Sequence, residues 1–457
     1  MSTTITIDPN TRLEGHLKVT ATYDAGHVIT AESSGLMFRG FENLLIGKDP
    51  RDAAHITQRV CGVCPVCHAM AACLAMEAAA GRTVTDNARL IRNLILGADF
   101  LHSHILHFYQ LALPSFIRGP AMPPWTPAWE VDLRFTASDN QHLVDHYVQA
   151  LTARRQAHEM GAIFGGRLPH TAAYEFGGVT SVPKAALVTR FRTYLTSLVD
   201  FIDDVYVPDV DLLGQTYPEY YSIGRGYGNL LALGVFDLNA SGSVKLLERG
   251  RVVDGATSVQ NIDLGVILEE VQHSWYDASA DGLNPSQGLT QPYPEKPGAY
   301  SWLKAPRYAG APYETGPLAR MWVNGDYRHG ISVMDRHQAR AREASKIAHA
   351  MLDWLNQLNL AASSFTPIGV PTSAVGVGLT EAPRGALGHW LTISNKAVAR
   401  YQIVTPTCWN CSPRDAAGLA GPLEKALEGL AISDVTQPIE VQRVVQSYDP
   451  CLACAVH

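Results

Sequence analysis

NARLIRNLILGADFLHSHILHFYQLAL, residues 87–113, places apolar side chains at intervals of three and four and contains no proline. That period is the helical one, so the stretch predicts a single long helix. The same pattern returns at residues 139–164, 184–205 and 335–360. Other textures flank this helical body. HLKVTATYDAGHVITAESS, residues 16–34, alternates polar and apolar positions around Asp24-Ala25-Gly26, the pattern of a β-hairpin. Residues 214–316 are rich in Gly, Pro and Tyr, with short strand-like runs such as SVKLLE. Short strands return after Pro383 in HWLTISN and ARYQIVT, whereas residues 358–380 read as loop because Pro367, Pro371 and several glycines interrupt them. The expected fold class is α+β, mainly α, with a long-helix bundle core and small β pieces at the N-terminus, in the middle and in the C-terminal region. Four segments follow within one integrated subunit. They are an N-terminal β region (1–50), a helical core (51–213), a mixed loop and short-strand region (214–330), and a helix, β region and tail (331–457).

At 457 residues the chain is long enough for a large buried core, and its 46% hydrophobic and 17% charged content is that of a globular protein. A net charge of −7, with no basic run, argues against a nucleic-acid partner, because phosphate binding needs a basic face. MSTTITIDPN lacks the basic and apolar regions of a secretory signal, and the longest uncharged stretch is too broken by proline to span a membrane. Export, if it occurs, is expected to depend on another carrier.

The eight cysteines are Cys61, Cys64, Cys67, Cys73, Cys408, Cys411, Cys451 and Cys454, in tight groups separated by long cysteine-free stretches. In a chain of this length, clustered C-x-x-C pairs favour metal or redox chemistry over a disulfide scaffold. In RVCGVCPVCHAMAACLAMEAA, residues 59–79, Pro65 suits a first helical position. Cys61 and Cys64 then precede a helix N-terminus, whose free N–H groups and dipole favour thiolate. The tail SYDPCLACAVH, residues 447–457, repeats the spacing with Cys451 and Cys454. Four thiolates from two distant pairs make a soft site suited to zinc, nickel or iron–sulfur chemistry. Structural zinc pairs usually share one small module; pairs at opposite ends of the chain would close the whole fold.

These runs resemble the large subunit of nickel–iron hydrogenases, and the resemblance extends nearly end to end. The family's first signature, R-x-C-G-x-C-x-x-x-H, is matched by Arg59, Cys61, Gly62, Cys64 and His68, and its second, D-P-C-x-x-C-x-x-H, by Asp449, Pro450, Cys451, Cys454 and His457. Around them lie TRLEGH (11–16), FRGFE (38–42), GKDPRDAAHITQR (47–59), EAPRGALGHW (381–390) and YQIVTPTCWNCSPRD (401–415). HEMGAIFGGRLPH, KAPRY and the ending CAVH are most similar to the nickel–iron–selenium branch, which carries selenocysteine at the position of Cys451.

The resemblance implies a centre in which Cys61 and Cys451 are terminal nickel ligands. Cys64 and Cys454 bridge nickel to an iron carrying carbon monoxide and two cyanides. H2 is split heterolytically there, with Cys451 as the nearest base and Glu14 as the first proton relay. Arg384 and Thr407, with backbone at Pro383, would donate to the cyanides. Asp449 would pair with Arg384, and His68 would hydrogen-bond towards a bridging sulfur. A second ion, Mg2+ or Fe2+, would be held by Glu42, the carbonyl of Ile403 and His457. From the residues alone, Glu14 reads instead as a surface partner of Arg12, and Arg384 as a core ion-pair residue. Ser115 stands where many relatives carry an aspartate, so a carboxylate from that position orienting Arg384 is in doubt. Cys67, Cys408 and Cys411 replace small or apolar residues of relatives. They read as packing thiols, with Cys408 and Cys411 as reactive thiols near the pocket the sharper expectation.

It further implies an iron–sulfur small subunit as electron partner, because no cysteine set remains for a cluster. H2 is the substrate. Nickel-insertion machinery and a protease that trims after the last histidine are expected partners in maturation, His457 marking a processed end or one encoded directly. Export with a partner points to the periplasm, or to the membrane through the small subunit, with the cytoplasm as the alternative. Three further readings stay open at this point: a hydrogen sensor with little turnover, a structural zinc–thiolate protein, and a metal-free relative from respiratory complexes.

Overall fold

Three strands begin the fold in the computed structural model, which describes residues 2–457. β1 (Thr3–Asn10), β2 (Leu17–Asp24) and β3 (His27–Gly35) form an antiparallel meander. The β2–β3 turn is formed by Ala25 and Gly26, with φ of 49° and 90°. Two positive φ values give a turn whose twist matches that of the flanking strands.

The helical body follows. α1 (Pro65–Ala80) is buried nearly all round, as an apolar run without a polar face requires. α2 (Asp86–Leu106) is capped by Thr85, α3 (Ala137–Gly165) by Thr136, and α5 (Val333–Gln357) by Ser332, each side chain accepting a first-turn N–H. α4 (Ala185–Phe201) packs on α3 and α5, and α2 lies between α3 and α5. Two of the expected helices change register. α2 passes into a π-helical stretch, His107–Ala112, and α4 into another, Ile202–Tyr206. Each stretch ends two residues before a proline, Pro114 or Pro208. A proline lacks the N–H that would continue the α ladder and its ring crowds the carbonyl four residues back, so the register shifts just ahead of it.

A second antiparallel sheet contains β4 (Ser373–Ala382), β5 (Gly385–Ser394) and β6 (Ala397–Val404). β4 corrects the reading of residues 358–380 as loop over its last eight residues, 373–380, while residues 358–372 form neither helix nor strand. Its glycines reflect close packing of α1. A Cβ on Gly376 would lie 2.0 Å from the Ala75 carbonyl oxygen, and one on Gly378 2.0 Å from that of Ala71. Gly378→Val is therefore expected to destabilise the chain by about 3 kcal/mol or more, read as a lower urea midpoint, since backbone rather than a flexible side chain must yield. An unchanged midpoint would show that α1 can withdraw from β4.

Two-stranded pieces occupy the middle of the chain, as expected, including Ile267–Glu270 against Ala305–Tyr308. α6 (Ile439–Ser447) and the single-turn α7 (Leu452–Ala455) complete the fold, which is mainly helical with small sheets. The tail is stitched to the N-terminal region: Glu14 donates its N–H to the Pro450 carbonyl, Leu452 donates to that of Glu14 at 2.7 Å, and Arg39 and Gly40 donate to Val456 and His457.

Candidate metal centre

Cys64 is the N-cap of α1, with Pro65 at the first helical position, and Cys61 precedes it in extended backbone. Asp449, at a left-handed φ of 52°, turns the tail so that Cys451 caps α7 and Cys454 lies within it. The sulfurs of Cys61 and Cys451 are 3.4 Å apart, those of Cys64 and Cys454 3.3 Å, and those of Cys451 and Cys454 3.1 Å. All four fall within 4.8 Å of one another, and all are buried. Hydrogen bonds from the Cys451, Cys454 and Cys64 thiols hold Cys61 well below the usual thiol range, and the N–H groups of Val63 and Cys64 also point at its sulfur. Burial pushes Cys451 and Cys454 well above that range. Like charges this close cannot all ionise alone, so full ionisation of the set requires a metal ion among them.

Arg384 lies near enough to the sulfurs for the charges of Cys451, Cys64 and Cys61 to act on it. Ala382 pairs with Gly385, which makes Pro383 and Arg384 the two-residue tip of the β4–β5 hairpin. Arg320 clamps this tip from behind, donating to the Ala382 and Pro383 carbonyls at 3.0 and 2.8 Å, and is itself held by Glu343 and Glu381 at 2.6 and 2.7 Å. Arg384 is 2% exposed and lies 3.1 Å from Asp449, yet none of its three guanidinium nitrogens makes a hydrogen bond, nor does either Asp449 oxygen. Burying such donors without acceptors is expensive, so the arrangement fits an anionic acceptor carried beside the sulfurs. Thr407 Oγ1 accepts from the Cys451 N–H at 2.9 Å, which leaves its own hydroxyl proton to donate.

Glu14 touches the set directly. Its Oε2 lies 3.2 Å from Cys451 Sγ and accepts from the Ala453 N–H at 3.1 Å. Burial, with the Cys61 charge, raises its pKa. The surface pairing with Arg12 is not formed, since the Arg12 guanidinium reaches Ser115 Oγ at 3.5 Å. His68 Nδ1 faces His389 Nε2 at 3.2 Å, and His389 Nδ1 meets the Tyr401 hydroxyl at 2.8 Å. Its hydrogen bond is thus to His389, although a ring nitrogen comes within 4.8 Å of the Cys64 and Cys67 sulfurs. Burial brings the His68 pKa down to about 4 and keeps the ring neutral.

A second polar cluster forms where the last residue meets β6. Glu42 Oε1 lies 3.3 Å from His457 Nε2 and accepts from the Ile403 amide at 2.7 Å, so the recorded contact with Ile403 is through N–H. The other Glu42 oxygen accepts from Thr290. Lys304 lies 3.5 Å from Glu269 and 3.8 Å from Glu42. Against the penalty of burial, the Lys304 charge and hydrogen bonds from His457 and Thr290 bring the Glu42 pKa down to about 2.

The sequence model of the family described as Nickel-dependent hydrogenase matches residues 39–121, 113–330 and 324–457, and one described as HoxL-like matches residues 4–33. The chain belongs to the nickel-dependent hydrogenases. It is 42% identical to the periplasmic NiFeSe hydrogenase large subunit of Desulfomicrobium baculatum, over 99% of this chain and 94% of that one. It is 32% identical to the uptake hydrogenase large subunit of Rhizobium leguminosarum bv. viciae, over 99% and 95%. The solved Ni-Fe-Se hydrogenase from D. vulgaris Hildenborough in the reduced state matches with a TM-score of 0.97 and 41% identity, covering 100% of both chains. The expectation of an oxidoreductase, the catalytic large subunit of a hydrogenase, therefore stands.

Several polar residues of this hydrogenase chain escaped the sequence reading. Arg320, Glu343 and Glu381 form the clamp behind the hairpin tip, and His389 and Tyr401 extend the line from His68. Asp99, buried in α2 with one oxygen unpartnered, has its pKa raised well above the usual range by burial and by Cys61. The one signal available was a charged residue inside an apolar helical stripe. Ser115 donates to Gln446 at 2.7 Å, and Arg384 is paired instead with the Asp449 carboxylate. Burial pushes the Cys408 thiol up to about 12 and raises Cys411 as well, which suits packing rather than reactivity.

Proposed function

We propose that this hydrogenase chain converts H2 at a nickel–iron centre, with carbon monoxide and cyanide on the iron, that Cys61, Cys64, Cys451 and Cys454 would hold. The observation that carries this reading is the buried Arg384 guanidinium at the hairpin tip, none of whose nitrogens is hydrogen-bonded although the charges of Cys451, Cys64 and Cys61 act on it. When bound, the centre supplies the polarisation and heterolytic splitting of H2. The chain's own residues handle the proton and the charge. Cys451 Sγ takes the proton, and Glu14 Oε2 receives it across 3.2 Å, oriented by the Ala453 N–H. Arg384 and Thr407 would donate to the cyanides, while Asp449 balances the Arg384 charge. Glu42 and His457, with the Ile403 carbonyl, would hold Mg2+ or Fe2+; two carboxylates, Glu42 and Glu269, against one lysine support a hard divalent cation there.

Electrons leave through an iron–sulfur small subunit, a reading supported by relatives named as large subunits. The Desulfomicrobium relative is named periplasmic, and among the described residues no helix is long and apolar enough to cross a membrane. The relative's location supports a periplasmic one here, with any membrane association through the partner. Purified protein is expected to hold nickel and iron near one-to-one and to give infrared bands of carbon monoxide and cyanide, with substantial H2 turnover per nickel. Zinc alone would defeat the reading, and intact bands with negligible turnover would favour a sensor.

A further inference from the structure

We propose that Cys64, Cys67 and His68 form a second metal-binding set, which holds one divalent ion of the zinc or nickel(II) class while the tail has yet to complete the four-thiol centre. Their ligand atoms, two sulfurs and a ring nitrogen, lie within 4.8 Å of one another, and all three residues are buried. The set is local. Cys64 caps α1 and Cys67 and His68 follow at i+3 and i+4, neighbours on one helical face. It therefore exists before Cys451 and Cys454, from the far end of the chain, arrive. The hydrogenase reaction makes no use of Cys67, whose thiol donates to the Cys64 carbonyl at 2.8 Å and so stays at the helix end beside Cys64. Two thiolates, an imidazole and water suit a borderline-soft divalent ion, and its binding releases the two thiol protons to solvent.

The histidine is held as a metal ligand needs to be. Metal-bound histidines generally engage their second nitrogen with a fixed partner. Here Nδ1 of His68 is taken by His389, which in turn meets Tyr401, leaving Nε2 for a metal. That line of hydrogen bonds can run in two directions. With the Tyr401 hydroxyl donating, His389 donates to His68, and His68 Nε2 carries a proton that can reach a sulfur. With the line reversed, His68 donates to His389, the Tyr401 oxygen accepts, and Nε2 offers a lone pair. Because Cys64 belongs to both sets, filling the four-thiol centre withdraws a ligand from the local one. The local set thus holds an ion only until the tail docks.

The test is an oxygen-free Co2+ titration of the full-length, metal-free chain carrying Cys451→Ser and Cys454→Ser. One Co2+ per chain is expected, with sulfur-to-cobalt charge-transfer absorption of two thiolates. Adding Cys67→Ser is expected to weaken binding by at least about tenfold, and by more than adding Cys61→Ser does. Cys454→Ser alone provides a second background in which the same dependence on Cys67 is expected, and variants are compared once their circular dichroism matches the wild type. Failure to bind Co2+, binding indifferent to Cys67, or binding that depends on Cys61 instead would each overturn the assignment.

Discussion

Glu14→Gln is expected to lower H2 turnover by about 10²- to 10⁴-fold, the range for loss of a positioned acid–base group, with nickel content unchanged. Glutamine keeps the size of the side chain and can still accept the Ala453 N–H, so the tail stays seated. What it loses is the capacity to bind a proton 3.2 Å from Cys451 Sγ. Exchange between H2 and deuterated water is expected to fall with turnover, because both need the proton to leave the pocket. Glu14→Asp, one methylene shorter, opens the contact and is expected to fall between the two. The pH profile gives an independent reading. Burial and the Cys61 charge raise the Glu14 pKa, and H2 oxidation needs the carboxylate deprotonated to receive a proton. Activity of the unmodified enzyme therefore declines as pH falls through a value above the ordinary carboxylate range, and this limb disappears in Glu14→Gln. Wild-type exchange in the glutamine variant would mean that the proton leaves by another path.

How much of this could be read in advance depends on whether the signal is local. The periods of α2, α3 and α5 lie along the chain, and so does the spacing of each thiol pair, which made the helical body and a metal site legible. The register shifts at His107–Ala112 and Ile202–Tyr206 were not, because they depend on how a proline two residues later resets the hydrogen-bond ladder. β4 was misread for a different reason. Gly376 and Gly378 look like loop residues until the backbone of α1 is seen lying on them. In the site, convergence of the two pairs rests on Glu14 pairing with residues 450–452, a contact no spacing rule contains. Arg320 meets Glu343 and Glu381 from 23 and 61 residues away, and a charged residue on a helix reads as exposed until such partners are known. The roles of Arg384 and His457 came from family resemblance; composition and period carried no trace of them.

Arg384→Lys separates the two tasks that the geometry combines in one side chain. Lysine keeps a positive charge near Asp449, whose nearest oxygen is 3.1 Å from Arg384 Nε, so no buried carboxylate is left uncompensated and stability is expected to change little. It cannot reproduce the planar fork of donors that a guanidinium presents. Turnover is therefore expected to fall by about 10²- to 10³-fold, the scale for removing a preorganised donor from a water-excluded site. The cyanide infrared bands are expected to shift as their hydrogen bonds are lost, with nickel retained by the four thiols. Arg384→Leu removes both functions. It strands Asp449, which is 2% exposed, and is expected to destabilise the chain by about 3–5 kcal/mol in addition. The comparison decides what the hairpin tip does. If Arg384→Lys kept wild-type turnover and unshifted bands while Arg384→Leu merely unfolded more easily, Arg384 would be a counterion to Asp449. A loss of turnover and a band shift in a stable lysine variant would require donors aimed at the iron's ligands, which is what three unpartnered nitrogens in a buried position call for.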